Sequence, residues 1–315
     1  MIPTSSLLAF ALAVSRVAAW GDLGHETVGY VAQAFLAPNA LAFVKSTISS
    51  SDDNSLGPAA IWADEVKYDD GWEWSQPLHF VDAEDSPLSG SCSVEQTRDC
   101  GSGQCILTAI ANYTTQVTDS SLSSTQIQDA LKFIDHFLGD IGQPLHVEAY
   151  EVGGNDISAK CSGTSTNLHA VNTGMVKKNI DDNHGGSSET YANDLVTEIK
   201  SGSFKSSASS WLSCTSITEP VSKRSPGADL ETEIKNLLHN RATEKITPLE
   251  CPLVWAQEAN AFDCTVVFNY TKGEDLCTSS YYTNAVPVID LQLAKQGYRL
   301  AAWLNVIFDG STNLP

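Results

Sequence analysis

The sequence predicts a mainly α-helical protein: a single domain with long loops. Three observations carry this. Apolar residues recur at helical spacing in five segments, strand-like alternation is nearly absent, and clusters of Gly, Pro, Ser and Asp separate the helical runs. With 42% hydrophobic and 18% charged residues over 315 positions, the chain is able to bury a core and is neither disordered nor collagen-like. A prior of roughly 150 residues per domain would allow two domains, but no repeat or charge block divides the sequence.

Residues 1–19 are expected to be a secretory signal. The apolar run Leu7–Val14 is too short to span a bilayer, and Val17-Ala18-Ala19 offers a small-residue cleavage site. No Lys or Arg precedes the run, so a short buried helix is the alternative. Nothing later approaches ~18 uninterrupted apolar residues, and no membrane span is expected. Cleavage after Ala19 leaves Trp20 as the new N-terminus and 20–315 as the working domain.

Within it, helices are expected at His25–Phe35, Cys105–Val117, Gln126–Leu138, Tyr191–Ile199 and, longest, Leu291–Phe308. Thr265–Phe268 is the best short strand. Breakers cluster at Ser51–Pro58, Asp85–Gly103, Gly153–Ser165 and Asp181–Ser188. The polar stretch 223–250, with a stripe of Leu230, Ile234, Leu237 and Leu238, reads as a surface insertion carrying one amphipathic helix.

Eight cysteines without a CxxC pair fit disulfides in an exported chain, and Cys100 and Cys105 lie in a Gly-rich loop able to close locally. Asn112-Tyr113-Thr114 and Asn269-Tyr270-Thr271 are glycosylation sequons, in keeping with secretion. Acidic residues number 38 against 18 basic, a net charge of −20. That balance excludes gripping a nucleic-acid backbone with a broad basic face, but not a nucleic-acid substrate held another way.

Seven histidines are present, and five have suggestive neighbours. His25 follows the new N-terminus closely. His79 sits in Pro77-Leu78-His79-Phe80. His136 and Asp140 form an i, i+4 pair on one helix face, and Pro144 then breaks the helix before His146. His169 follows Asn167-Leu168, and Asp64 ends Trp62-Ala63-Asp64. Imidazole with carboxylate suits zinc without any thiolate. The α-amino group of Trp20, titrating near ~7.7–8.0, can also ligate once the signal is removed. His184 and His239 receive no role.

These pieces occur in a fixed order: Trp20-Gly21-Asp22-Leu23-Gly24-His25, Trp62-Ala63-Asp64, Pro77-Leu78-His79-Phe80, His136 through His146, Gly153-Gly154-Asn155, Asn167-Leu168-His169 and Gly297-Tyr298-Arg299-Leu300-Ala301-Ala302-Trp303. Together they resemble the secreted fungal zinc-dependent, single-strand-specific nucleases and 3′-nucleotidases of the S1/P1 type, over almost all of 20–315. The resemblance implies the helical phospholipase C/nuclease fold with a trinuclear zinc cleft. It assigns the first zinc to Asp64, His79, His136 and Asp140. The second goes to the Trp20 amine and carbonyl with His25 and a bridging Asp140, and the third to His146 and His169.

By the same resemblance, Lys67 neutralises transition-state charge beside Asp64. Phe80 and Asp82 form a nucleobase pocket, Asn155 is a further substrate contact, and Cys92 pairs with Cys264 and Cys100 with Cys105. Cys161, Cys214, Cys251 and Cys277 stay without an assigned pairing. The implied activity is hydrolysis of single-stranded DNA and RNA to 5′-phosphorylated products by a zinc-activated hydroxide, with removal of 3′-phosphate from mononucleotides, by a secreted monomer.

One departure matters. The family pattern continues with Trp-Asp after the last histidine, whereas this chain reads His169-Ala170-Val171-Asn172-Thr173-Gly174. Asn172, at i+3, offers only a neutral amide oxygen, so the third zinc is expected to be loosely held, completed by water, or rescued by a loop carboxylate such as Asp181 or Asp182. A zinc phospholipase C-like phosphodiesterase and a catalytically impaired descendant are the competing expectations.

Overall fold

A computed structural model of the protein describes residues 20–101, 103–214 and 250–315. The expected signal, 1–19, lies outside the described residues, as does nearly all of the expected 223–250 insertion. Helix α1 (Gly21–Gln33) opens the described chain, followed by α2 (Pro38–Thr47) and the short α3 (Leu56–Ala59) and α4 (Trp62–Val66). After α5 (Gln96–Asp99) come α6 (Ile106–Gln116) and α7 (Ser124–Asp140). A hairpin of β1 (Ser158–Cys161) and β2 (Thr164–Asn167) leads into α8 (Leu168–Asn183) and α9 (Ser188–Lys200). The last two helices are α10 (Glu250–Phe262) and α11 (Ser280–Asp309).

Helix α7 is central because it turns an apolar face to neighbours on several sides. It starts at a capping box, with Ser123 Oγ accepting from Gln126 N while the Gln126 side chain reaches back to Ser123 N. From Ala130 to Asp140 every residue is buried. It packs on α6, α1 and the long α11, which in turn covers α1 and α2. Helix α11 begins eleven residues before the expected Leu291, capped by Ser279, and runs through Pro287 to stop at Gly310 with φ +80°.

Two local expectations fail. Thr265–Phe268 is not a strand: Asp263–Val267 is a π-helical turn continuing α10. Its β-branched run has strand propensity, but tertiary context decides, since Val267 is buried and Cys264 is bonded to Cys92. The 153–165 stretch, read as breakers, contains the antiparallel hairpin, with Ser158 opposite Asn167 and Cys161 opposite Thr164. Ser162 and Gly163, at φ +49° and +81°, supply the turn, and the Asp275 carboxylate accepts from both of their N–H groups at 2.9 and 2.6 Å.

Cys92–Cys264 and Cys100–Cys105 are disulfides, and the other four cysteines pair as Cys161–Cys277 and Cys214–Cys251. Among the described residues no helix is long and apolar enough to cross a membrane. Asn269 is exposed on a turn, whereas Asn112 is half-buried in the middle of α6 with Thr114 of its sequon fully buried.

Candidate metal centre

The buried C-terminal end of α7 sets the position of the site. His136 and Asp140 project from one face of this helix, both fully buried. A carboxylate at a helix C-terminus faces the negative end of the dipole, so burying Asp140 there calls for positive charge nearby. Five elements converge on it. Helix α1 brings His25, α4 brings Asp64 and at its end Lys67, and the 3₁₀ turns Glu73–His79 and Pro144–His146 bring their histidines. The first turn of α8 adds His169.

Asp140 lies at the centre and uses both oxygens. Its Oδ2 is 3.0 Å from His79 Nδ1 and 3.0 Å from His136 Nε2. Its Oδ1 is 3.2 Å from His25 Nε2 and 3.1 Å from His146 Nδ1. Asp64 Oδ1 approaches His136 Nε2 at 3.4 Å and His79 Nδ1 at 3.5 Å, and Lys67 Nζ donates to it at 2.5 Å. Among the described residues, His25–Asp64–His136 and His79–His136–Asp140 each have the spacing to hold a metal ion.

Backbone carbonyls orient the rings. His136 Nδ1 donates to Ala60 O at 2.6 Å, which turns Nε2 toward the carboxylates. His169 Nδ1 donates likewise to Gly153 O at 2.8 Å. The indole of the buried Trp20 donates to Gly139 O at 2.9 Å, tying residue 20 to the last turn of α7 beside Asp140. Gly139 carries no side chain where the His25 ring passes: a Cβ there would stand 3.0 Å from His25 Nδ1.

Electrostatics agree with a site made for cations. Burial opposes ionisation of Asp64 and Asp140, yet the histidines around them, with Lys67 for Asp64, hold both well below the usual carboxylate range. Burial opposes charge on His136 too, but Asp140 and Asp64 outweigh it and push His136 up to about 10. Without an ion, one imidazolium is what balances the two carboxylates. Burial, with Lys67, pushes His79 down to about 3, and burial, with His146, does the same to His169. His25 Nε2, His79 Nε2, Asp140 Oδ1 and His146 Nδ1 are buried without forming a hydrogen bond, even where Asp140 Oδ1 lies close to the two imidazoles. Those orphaned donor atoms and the imidazole–carboxylate chemistry fit zinc.

Above the cluster opens a cleft of about 360 Å³, with His79, His146 and His169 in its lining. Lys67, Phe80, Asp82, Val152 and Asn155 line it as well. Phe80 and Val152 are 37% and 63% exposed, two apolar side chains offered to the same space. Val152 belongs to an unusual turn in which Glu151, Val152, Gly153 and Gly154 all have positive φ, between 49° and 75°. A β-branched residue pays strain in that region, and such strain concentrates at functional sites. Asn155 ties the turn down, donating from Nδ2 to Val152 O at 2.8 Å.

The expected ligand residues thus come together, with one difference in grouping. His146 touches Asp140 as well as stacking on His169, with ring centroids 5.2 Å apart, so it joins the first two groups to the third. Asn172 is buried one turn beyond His169. Position i+4 is Thr173, whose methyl packs on α1: a Cβ at Gly21 would be 2.5 Å from it. Asp181 and Asp182 do not substitute. They lie on α8 some twelve residues past His169, roughly 18 Å along the helix, and pair with Lys177 and Lys178 at 2.7 and 2.5 Å. Val152, Gly139 and the carbonyls of Ala60 and Gly153 were not foreseeable as site groups; the available sequence signal beside Val152 is the Gly153-Gly154 pair, whose positive φ the structure supplies.

Such a cleft over a His/Asp cluster able to hold metal ions, in a helical fold, fits a metal-dependent hydrolase. The family model for S1/P1 nucleases matches residues 20–309. The chain is 41% identical to Nuclease P1 of Penicillium citrinum, over 91% of this chain and 97% of that one. It is 38% identical to Nuclease S1 of Aspergillus oryzae, covering 91% of each, and 30% identical to Endonuclease 3 of Arabidopsis thaliana, covering 98% and 96%. The chain belongs to the S1/P1 nuclease family, and with it to the phosphodiester hydrolases.

Proposed function

We propose that the protein is a secreted, monomeric zinc endonuclease. It hydrolyses single-stranded DNA and RNA to 5′-phosphorylated products and removes the 3′-phosphate of mononucleotides. The observation that carries this is the convergence of four imidazoles on the two oxygens of Asp140, directly beneath a cleft with an exposed aromatic wall. Asp64, His79, His136 and Asp140 would hold one zinc. The Trp20 amine and carbonyl with His25 and Asp140 would hold a second, and His146, His169 and Asn172 a third. Bound zinc supplies Lewis acidity toward phosphoryl oxygens and lowers the pKa of water to make hydroxide available near neutrality.

The chain's own groups do the rest. Lys67, buried and paired with Asp64, carries the charge that offsets negative charge growing on the phosphoryl group. Phe80 and Val152 offer faces between which a base can lie, and Asp82 meets its polar edge. A base inside a duplex reaches neither without unstacking, at a cost of a few kcal/mol, which favours single strands. That pocket also favours a nucleotide over a phospholipid head group. The four disulfides are in keeping with export.

The test compares heat-denatured DNA, duplex DNA, RNA, 3′-mononucleotides and phosphatidylcholine on protein of measured zinc content. Hydrolysis of the single strands and 3′-mononucleotides, abolished by chelation and restored by zinc, is expected. Zinc-loaded protein that attacks phosphatidylcholine but none of the nucleic acids would overturn the assignment.

A further inference from the structure

Asp82 has acidic company that the phosphodiester chemistry does not use. Residues 81–84 run extended, anchored by Val81 N donating to His146 O at 2.9 Å and by Ala149 N donating to Ala83 O at 3.2 Å. Val81 and Ala83 are buried, so Asp82 and Glu84 emerge together on the outer face. Asp99 of α5 stands beside them, its Oδ1 accepting from Glu84 N at 3.1 Å and its Oδ2 from Glu95 N at 2.7 Å. The nearby cation, Arg98, is engaged elsewhere, by Asp99 at 2.5 and 2.8 Å and by Glu95 at 3.3 Å. Across the cleft the titratable groups are Lys67, Tyr68, His79, His146 and His169.

We propose that Glu84 is a positioning residue for base selection, its charge setting whether Asp82 reads the base edge as a neutral acid or as a carboxylate. This rests on the nucleotide-binding reading of the cleft. Partial burial, then Glu84, then Asp99 push the Asp82 carboxyl up from its ordinary value. The two protonation states recognise different bases. A neutral carboxylic acid has one donor and one acceptor, which matches the amide-like or amidine-like edge of every base. A carboxylate only accepts, and two adjacent donors occur on guanine alone, at N1–H and the 2-amino group. Raising the pH through the Asp82 titration therefore narrows a permissive pocket into one that prefers guanine.

The experiment measures the ratio of affinities for guanosine and adenosine 5′-monophosphate by calorimetry on the zinc-loaded protein, from about pH 4.5 to 7.5. The kcat/KM ratio for the two 3′-monophosphates is followed in parallel. Titration of the phosphate and of the zinc ligands is common to both nucleotides and cancels in either ratio. In the wild type the guanine preference should rise about tenfold across the range, the worth of one charge-assisted hydrogen bond. E84Q should move the midpoint of that rise down by about half a pH unit, as expected for losing a like charge one strand repeat away. D82N, whose amide has a donor and an acceptor at every pH, should show a flat ratio.

A flat wild-type ratio, an unmoved midpoint in E84Q, or a surviving rise in D82N would overturn the inference. A purely structural role for Glu84 would change both affinities together and leave the midpoint in place. If the binding ratio behaves as described but nothing is hydrolysed, only the nuclease assignment fails. Normal hydrolysis with a flat ratio removes the base selector alone, and absence of binding by either nucleotide removes both.

Discussion

Gly139→Ala isolates the second ligand group from the rest of the site. The new methyl would lie 3.0 Å from His25 Nδ1, 3.4 Å from Cε1 and 3.8 Å from a Val28 methyl. That first contact is tighter than an ordinary van der Waals approach, so the imidazole must give by a few tenths of an ångström. Zinc–ligand distances tolerate only about 0.2 Å, and disturbing a ligand's support typically lowers metal affinity by roughly 10–100-fold. The fold itself should hardly notice. Alanine gains about 0.8–1.0 kcal/mol over glycine inside a helix, which offsets much of an overpacking cost of about 1–3 kcal/mol. The expected result is a metal-free melting temperature within a few degrees of wild type, with one zinc lost at roughly tenfold or more lower chelator concentration. Retention of all zinc along the wild-type chelator curve, at wild-type rate, would refute the placement of His25 as a ligand held against Gly139.

Other perturbations separate the remaining roles. Lys67→Met should lower kcat by about 10²–10³-fold with zinc content unchanged, and a loss of zinc instead would make Lys67 structural. Phe80→Ala should cost about 1–3 kcal/mol in kcat/KM for mononucleotides, the worth of one stacked base, while a base-free phosphodiester is hydrolysed as before; equal losses on both would remove Phe80 from base binding. Asn172→Asp should slow release of one zinc to a chelator by about tenfold, and no change would mean that position 172 does not face the ion. In metal-stripped protein, burial holds His79 and His169 near about 3, so their contribution is full above the unfolded value of ~6.5 and drains away as pH falls toward 3. His136, pushed up to about 10 against burial by Asp140 and Asp64, contributes fully below ~6.5 and fades as pH rises toward 10. Melting temperature of the stripped protein should therefore peak near pH ~6.5, and a curve rising monotonically through that value contradicts the arrangement.

Side-chain identities were legible where local spacing decides their geometry. His136 and Asp140 share a face because four residues make about one helical turn, whereas the expected start at Gln126 fell two residues inside a helix that begins at Ser124 behind its Ser123 cap. The resemblance carried by the order of motifs grouped Asp64 with His79 and His146 with His169, although separation along the chain gives no distance. Backbone groups were illegible: the Ala60 and Gly153 carbonyls that orient His136 and His169 leave no mark in residue type. The hairpin at 158–167 hid in a run of polar turn formers, because its turn is supported by Asp275 from more than a hundred residues away. Long-range support of that kind also decided the Cys161–Cys277 pairing. Asp181 and Asp182 read as loop carboxylates because Gly185 and Gly186 follow them, yet α8 continues to Asn183 and turns both outward.

The left-handed turn at 151–154 makes one mechanical part of two functional regions. Its Gly153 carbonyl fixes His169, and one residue earlier the exposed Val152 stands in the cleft. Four successive residues in a sparsely populated conformation, tied by Asn155, leave little slack between them. If, as proposed, the cleft takes a base at Val152 and His146 with His169 hold a metal ion, the two occupancies are linked quantities. Linkage requires reciprocity: if a nucleotide against Val152 tightens zinc at His146 and His169 by some factor, zinc there tightens the nucleotide by the same factor. Substrate supply would act as a stabiliser of the metal-loaded enzyme, and scarce zinc would appear in assays as weak nucleotide binding.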